Sequence, residues 1–269
     1  LQVVVEVLGR VLPGQSVVQA RVLRPTVLRA LAAGQFAEDI AGRAFQSVSR
    51  HGKSLTFTLS GDRLLVIFPM LTGGLQHCPP SERVLKSTAF VLSLSSGMEL
   101  RYFDERQMGM AYYLAPDQAG EVKRMEEQGP DVFDQPLSYE EFLMRLKPFR
   151  GEIKGVLTRG HVVSGIGNAY ADEVLFEAGV FPFRKWSRLT EEERRRLHAA
   201  VYSAPRAALE TLRQRMGDQV HLKLRDFLKV HGKGGQPCPR CGGRITSITA
   251  NLRLTNYCRR CQPGMLIRN

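Results

Sequence analysis

Cysteine is scarce in this chain, with five among 269 residues. Four of the five stand in two Cys-x-x-Cys pairs, which leaves too few for a disulfide framework. Long apolar runs are missing too. The longest, Leu64 to Phe68, stops at Pro69, so no segment can cross a bilayer as a helix. No internal repeat or low-complexity stretch is visible, which argues against a solenoid or a polar tail. Acids are nearly absent from the C-terminal end. From Gln219 to Asn269 ten Lys/Arg face one acid, Asp226, so this stretch holds +9 of the net +12. A module of that charge density seeks a polyanion. Anionic membrane is the weaker partner because no amphipathic helix with an apolar anchor accompanies the charge. What remains is an ordinary globular balance, 43% hydrophobic and 24% charged, in a chain long enough for two sizeable cores and a small module.

Cys238 and Cys241 are followed by sixteen residues and then by Cys258 and Cys261. Thiolates two residues apart can share one tetrahedral ion, and two such pairs fill all four positions of a structural Zn²⁺. The segment between the pairs is rich in β-branched residues, with Ala250-Asn251 near its middle, and predicts a β-hairpin tied at its base by the metal. Four cysteines leave no open coordination position, so the zinc folds the segment and performs no chemistry. A disulfide or redox pairing is disfavoured. The fifth cysteine, Cys78, lies far upstream and no apolar leader precedes it, which points to a reducing cytoplasm.

Along the chain, residues 1–12 place apolar side chains at 1, 4, 5, 8, 11 and 12, one helical face ended by Pro13-Gly14. Short β-like pieces follow at 16–23, 54–59, 64–68, 89–94 and 98–103, with turn residues at Ser60-Gly61-Asp62 and Ser95-Ser96-Gly97. A short helix interrupts them within 27–46. Residues 1–118 therefore predict a β-sandwich capped by the first helix. Residues 119–136 are polar and proline-containing, a linker with an acidic helical fragment at 120–128. From 137 the period becomes helical, and 137–225 predicts a helical domain ahead of a metal module at 226–269. Ser138 to Glu141 and Thr190 to Glu193 read as capping boxes, and Pro205 predicts a kink in the last helix. The fold class is α+β. Between helices at 152–157 and 169–178 lies Gly165-Ile166-Gly167-Asn168, a turn whose amides, at the positive end of the next helix, can cradle a phosphate.

Val163 to Pro182 resembles the helix–two-turns–helix core of the formamidopyrimidine-DNA glycosylase/endonuclease VIII family, and Gly234 to Gln262 resembles that family's zinc finger. Weaker matches follow in family order at Arg50-His51-Gly52-Lys53, Met70 to Gly73, Phe103 to Gly109 and Gly129 to Asp131, so the resemblance covers nearly the whole chain. It implies a DNA repair glycosylase with associated AP-lyase activity. The expected partner is double-stranded DNA carrying a damaged or abasic nucleotide, bound across a cleft by a monomer. Position by position it implies that Gly167, Asn168 and Arg253 grip phosphates, with Lys154 near the glycine turn and Lys53 reaching phosphates from the sandwich side. Met70, Leu71, Arg106 and Met108 match the residues that fill the gap left by a flipped nucleotide. An apolar wedge and a cation there would offset the few kcal/mol of stacking that flipping costs, about that much in general. Taken without the family, Met70 and Leu71 read as core, and Arg106 as an ion-pair partner of Asp104 or Glu105.

Two departures accompany the resemblance. The family's N-terminal proline amine attacks the sugar C1′, with a glutamate next to it, just before the first helix. The sequence as given opens on Leu1-Gln2 inside that helix, so the catalytic nucleophile is unassigned and the chain as written is expected to be inert. Either encoded residues precede Leu1, which is favoured, or this is a non-catalytic DNA-binding relative. The second departure is the short segment 217–236, where some purine-specific members carry a longer loop over the flipped base. This leaves oxidised pyrimidines open.

Overall fold

The computed structural model describes residues 1–32, 35–122, 128–250 and 253–264. Asn251 of the expected hairpin turn, Arg268 and most of the acidic fragment at 120–128 lie outside the described residues. Two compact units are present, Leu1–Glu126 with Leu212–Lys223 and Glu127–Thr211 with Leu224–Asn269.

The first unit opens with α1 (Gln2–Val11), the expected helix, but its buried face is Val3, Val4, Val7 and Leu8, with Leu12 just after it. Of the expected stripe only Val4, Leu8 and Leu12 are buried, while Leu1 is exposed and Val5 and Val11 are half-buried. Nine strands follow: β1 (Val17–Val22), β2 (Leu28–Ala30), β3 (Phe45–His51), β4 (Ser54–Leu59), β5 (Arg63–Phe68), β6 (Gly73–Cys78), β7 (Thr88–Leu94), β8 (Glu99–Asp104) and β9 (Met110–Leu114). They form one sheet of order β1-β7-β8-β6 and another of order β2-β9-β5-β4-β3. Between β2 and β3, α2 (Phe36–Ile40) inserts Phe36, which stands edge-on to Phe90 of the first sheet at 5.7 Å and to Tyr113 of the second at 5.2 Å. One apolar core thus serves both sheets, and the expected sandwich is formed.

The hairpins at 60–62 and 95–97 join β4 to β5 and β7 to β8, as their turn residues require. The stretch 27–46 does more than form a short helix. It also holds β2 and the start of β3. Three further strands escape the local pattern. β3 has mixed polarity, β6 opens with Gly73-Gly74, and β9 is a five-residue run without polar alternation. β6 owes its extended form to β8 and β9 to β5 and β2, partners distant in sequence, whereas β3 pairs with its hairpin neighbour β4.

The second unit is helical. In α3 (Tyr139–Leu146) Ser138 and Glu141 exchange the two hydrogen bonds of a capping box, at 3.2 and 2.9 Å. α4 (Ile153–Arg159) precedes the glycine turn. α5 (Asn168–Ala178) ends at Gly179, whose φ of 69° is the left-handed cap expected after it. α6 (Glu191–Met216) has its own box between Thr190 and Glu193 and runs through Pro205 as one continuous helix. Phe142, Leu146, Ile153, Val174, Leu197 and Val201 centre the helical core. The strands β10 (Ile245–Ala250) and β11 (Arg253–Cys258) pair antiparallel, Ile245 opposite Cys258 and Ala250 opposite Arg253. Beneath them lies a small cluster of Phe176, Val230, Cys238, Ile245 and Cys258.

Candidate nucleic-acid interface

The four cysteines of the second unit converge, with their Sγ atoms all within 4.8 Å of one another. Cys238 and Cys261 are 3.8 Å apart and Cys241 and Cys258 3.5 Å. A tetrahedral Zn²⁺ with bonds of about 2.3 Å needs sulfur separations of about 3.8 Å, so the donor set fits the ion, whereas a disulfide needs about 2 Å. The Gly243 N–H draws the Cys241 thiol down to about 7, towards the thiolate a metal requires. Gln262 braces the site from behind. Its Oε1 accepts from Cys258 N at 3.0 Å and its Nε2 donates to Val180 O at 2.9 Å, just past α5.

A buried polar network then fixes the hairpin to α5. Asp172 is fully buried. Its carboxylate meets Lys154 Nζ at 2.7 Å and His231 Nδ1 at 2.7 Å, and accepts from Asn256 N at 3.0 Å. The neighbouring Glu173 accepts from the backbone N–H groups of Lys229, Val230 and His231 at 2.8, 2.9 and 2.9 Å. One carboxylate pair therefore holds α4, β11 and the 229–231 turn. Such satisfaction is what a buried charge requires.

Lys154 departs from its expected role. It is 6% exposed, and besides Asp172 its ammonium donates to Leu254 O and Thr255 Oγ1, each at 2.8 Å. Burial lowers its pKa, against the pull of Asp172. Its donors are directed inward, to Asp172, Leu254 and Thr255. Asn168, the first residue of α5, donates through Nδ2 to the same Leu254 carbonyl at 2.8 Å. Next to Leu254, Arg253 is exposed, its Nη1 3.5 Å from Thr158 Oγ1. α4 and the start of α5 thus share one carbonyl of the hairpin. Gly167 caps α5 with extended backbone, and the first amides of a helix have no acceptor within it. Around that carbonyl the site offers amides, a carboxamide and a guanidinium, all groups that hold an anion.

In the first unit, Lys53 is exposed in the turn between β3 and β4. Met70 and Leu71, 47% and 53% exposed, lie between β5 and β6; Met108, 43% exposed, and Arg106 lie between β8 and β9. The core reading of Met70 and Leu71 fails on exposure. The ion-pair reading of Arg106 fails on geometry. Buried Asp104 instead accepts from the backbone N–H of Arg106 at 3.3 Å, from Gly109 N at 2.6 Å and from the Thr72 hydroxyl, so one carboxylate ties both loops together. Gly109 is obligatory there, because a Cβ would lie 2.0 Å from Tyr102 OH and 2.9 Å from Phe68 O. Asp104, Asp172 and Glu173 were missed by sequence reasoning as site residues. The available signal for the latter two was an acidic pair between the apolar runs Ala169–Ala171 and Val174–Phe176.

Residues 1–111 match the formamidopyrimidine-DNA glycosylase N-terminal domain, 128–219 its H2TH domain and 235–264 the zinc finger found in FPG and IleRS. The formamidopyrimidine-DNA glycosylase of Pelotomaculum thermopropionicum is 31% identical over 93% of both chains. That of Desulfitobacterium hafniense is 34% identical over 84% of this chain and 85% of its own. Among solved structures, Lactococcus lactis Fpg with abasic-site DNA superimposes with a TM-score of 0.87 at 25% identity over 98% of both chains. The same enzyme with FAPY-dG DNA gives equal values. With a zinc-fitted cysteine cluster, a glycine turn docked on the hairpin and matches in all three segments, the chain belongs to the formamidopyrimidine-DNA glycosylase family.

Proposed function

We propose that this protein is a DNA repair glycosylase that excises oxidised bases from duplex DNA by base flipping and cleaves the strand at the resulting abasic site. The observation that carries this reading is the Leu254 carbonyl shared by Lys154 and Asn168. It holds the α5 amides, Asn168 and Arg253 in one register, so that Gly167, Asn168 and Arg253 grip consecutive backbone phosphates. Contacts of this kind position a protein on the duplex without reading sequence. Lys53 adds a phosphate contact from the first unit. Met70, Leu71 and Met108 are exposed apolar side chains on loops made rigid by Asp104. Together with the Arg106 guanidinium they fill the gap in the stack, which offsets the few kcal/mol, roughly, that extrusion of a nucleotide costs. Cys238, Cys241, Cys258 and Cys261 hold a zinc that shapes the finger and takes no part in the chemistry. A cytoplasmic location suits four reduced thiols. Both oxidised purines and oxidised pyrimidines remain within the substrate class.

Borohydride trapping with an abasic duplex tests the proposal. Full-length protein is expected to form a covalent adduct, as an amine nucleophile attacking C1′ requires. Retained but unlinked DNA would instead make the protein a lesion clamp, and absence of retention would end the nucleic-acid reading.

A further inference from the structure

Five of the finger's arginines can be followed side chain by side chain, and three are engaged. Arg240 stacks over the Phe176 ring at 4.4 Å and donates to Glu177 O, Arg260 donates to Cys241 O, and Arg253 lies against Thr158. Arg244 and Arg259 have neither an ion pair nor a hydrogen bond among the described residues, and both are exposed. They line one open cavity of about 420 Å³ at the zinc end of the hairpin, where Thr246 and Ser247 add hydroxyls and Gly235 forms the facing wall. The residue 235–237 segment pairs with β10 only at its first residues, through Gly235 N to Ile245 O, Ile245 N to Gln236 O and the Pro237–Arg244 bridge. No acid stands among the lining residues. Two guanidiniums without counter-ions, beside two hydroxyls, recognise a phosphate-type oxyanion.

We infer that this cavity is a second phosphate site, which holds the backbone of the bound duplex away from the lesion. The inference rests on the glycosylase reading and extends it. Arg244 and Arg253 lie at opposite ends of a six-residue hairpin, about 20 Å long at roughly 3.3 Å per residue. That length matches about six base-pair steps of duplex axis at about 3.4 Å each. The site would therefore lengthen the footprint without touching the damaged nucleotide.

The test compares full-length protein with the double variant Arg244→Gln/Arg259→Gln, holding zinc content at one per chain. The control is Arg145→Gln/Lys147→Gln, which removes equal charge from exposed positions at the C-terminal end of α3. Each is titrated with lesion-bearing duplex across salt concentrations. Loss of two phosphate contacts lowers the slope of log K against log salt by about 1.8, so the deficit is about tenfold larger near 50 mM than near 200 mM salt. The control is expected to keep the wild-type slope. An unchanged slope in the double variant overturns the inference, as does an equal fall in the control. Thermal protection of wild type, but not of the double variant, by inorganic phosphate with the duplex slope unaltered would assign the cavity to a free anion and overturn the backbone assignment. If wild type retains no duplex at all, the glycosylase reading fails first and independently.

Discussion

The two units present their candidate contacts on very different foundations. In the first, Met70, Leu71, Arg106 and Met108 are carried by loops rooted in nine strands and a continuous apolar core, and one buried carboxylate, Asp104, joins the loops. In the second, Arg253 stands on a two-stranded hairpin whose apolar support is a cluster of five buried residues. That hairpin depends on a metal and on the paired carboxylates Asp172 and Glu173. Apolar burial is diffuse and tolerates single losses, whereas a coordination sphere or a buried ion pair fails when one member is removed. The cationic finger should therefore respond sharply to chemical perturbation that leaves the wedge loops in place.

Removing the metal should produce the largest effect. Structural zinc contributes an apparent ~10–16 kcal/mol in small fingers, so Cys258→Ser or chelation should abolish duplex retention. In calorimetry the sandwich transition should persist; its loss would show that the two units do not differ in the way described. Next comes Asp172→Ala, which strands the Lys154 ammonium in a buried site and should cost the second unit about 3–5 kcal/mol. Denaturant titration would measure it, and the apolar pair Asp172→Leu/Lys154→Met should recover much of the loss. Failure of that rescue would argue that Leu254, rather than the ion pair, is the essential partner of Lys154. In the first unit, Asp104→Ala should cost about 1–3 kcal/mol by leaving N–H groups unpaired. Amide exchange should rise at Arg106 and Gly109, and excision should slow with the zinc content unchanged. The smallest effect is expected from Arg253→Ala, which should weaken binding across sequences and flatten the salt dependence by about one unit of slope. An unaltered slope would remove Arg253 from the phosphate contacts.

Much of the architecture was legible because it rests on local chemistry. Cys238-x-x-Cys241 and Cys258-x-x-Cys261 specify a tetrahedral site by spacing alone. Ser138–Glu141 and Thr190–Glu193 announce helix starts because the bonds they make span three residues. Gly179 announces a helix end because the left-handed cap suits a residue without Cβ. The strands β6 and β9 were not legible, since their hydrogen bonds are made to strands that only the fold brings alongside, while β3, a local hairpin partner of β4, was hidden by its mixed polarity.

The candidate site divides along the same line. Composition and order along the chain determined which side chains can meet an anion or enter a base stack, since charge, apolarity and turn geometry are properties of residues and their near neighbours. The direction each side chain takes was decided by tertiary structure alone. Lys154 turns inward to an acid eighteen positions away and shares the Leu254 carbonyl with Asn168, Arg253 lies against Thr158, and Asp104 binds two loops instead of one arginine. The physical reason is that a charged or polar group settles on whichever partner satisfies it with least desolvation, and that partner is set by packing rather than by sequence distance.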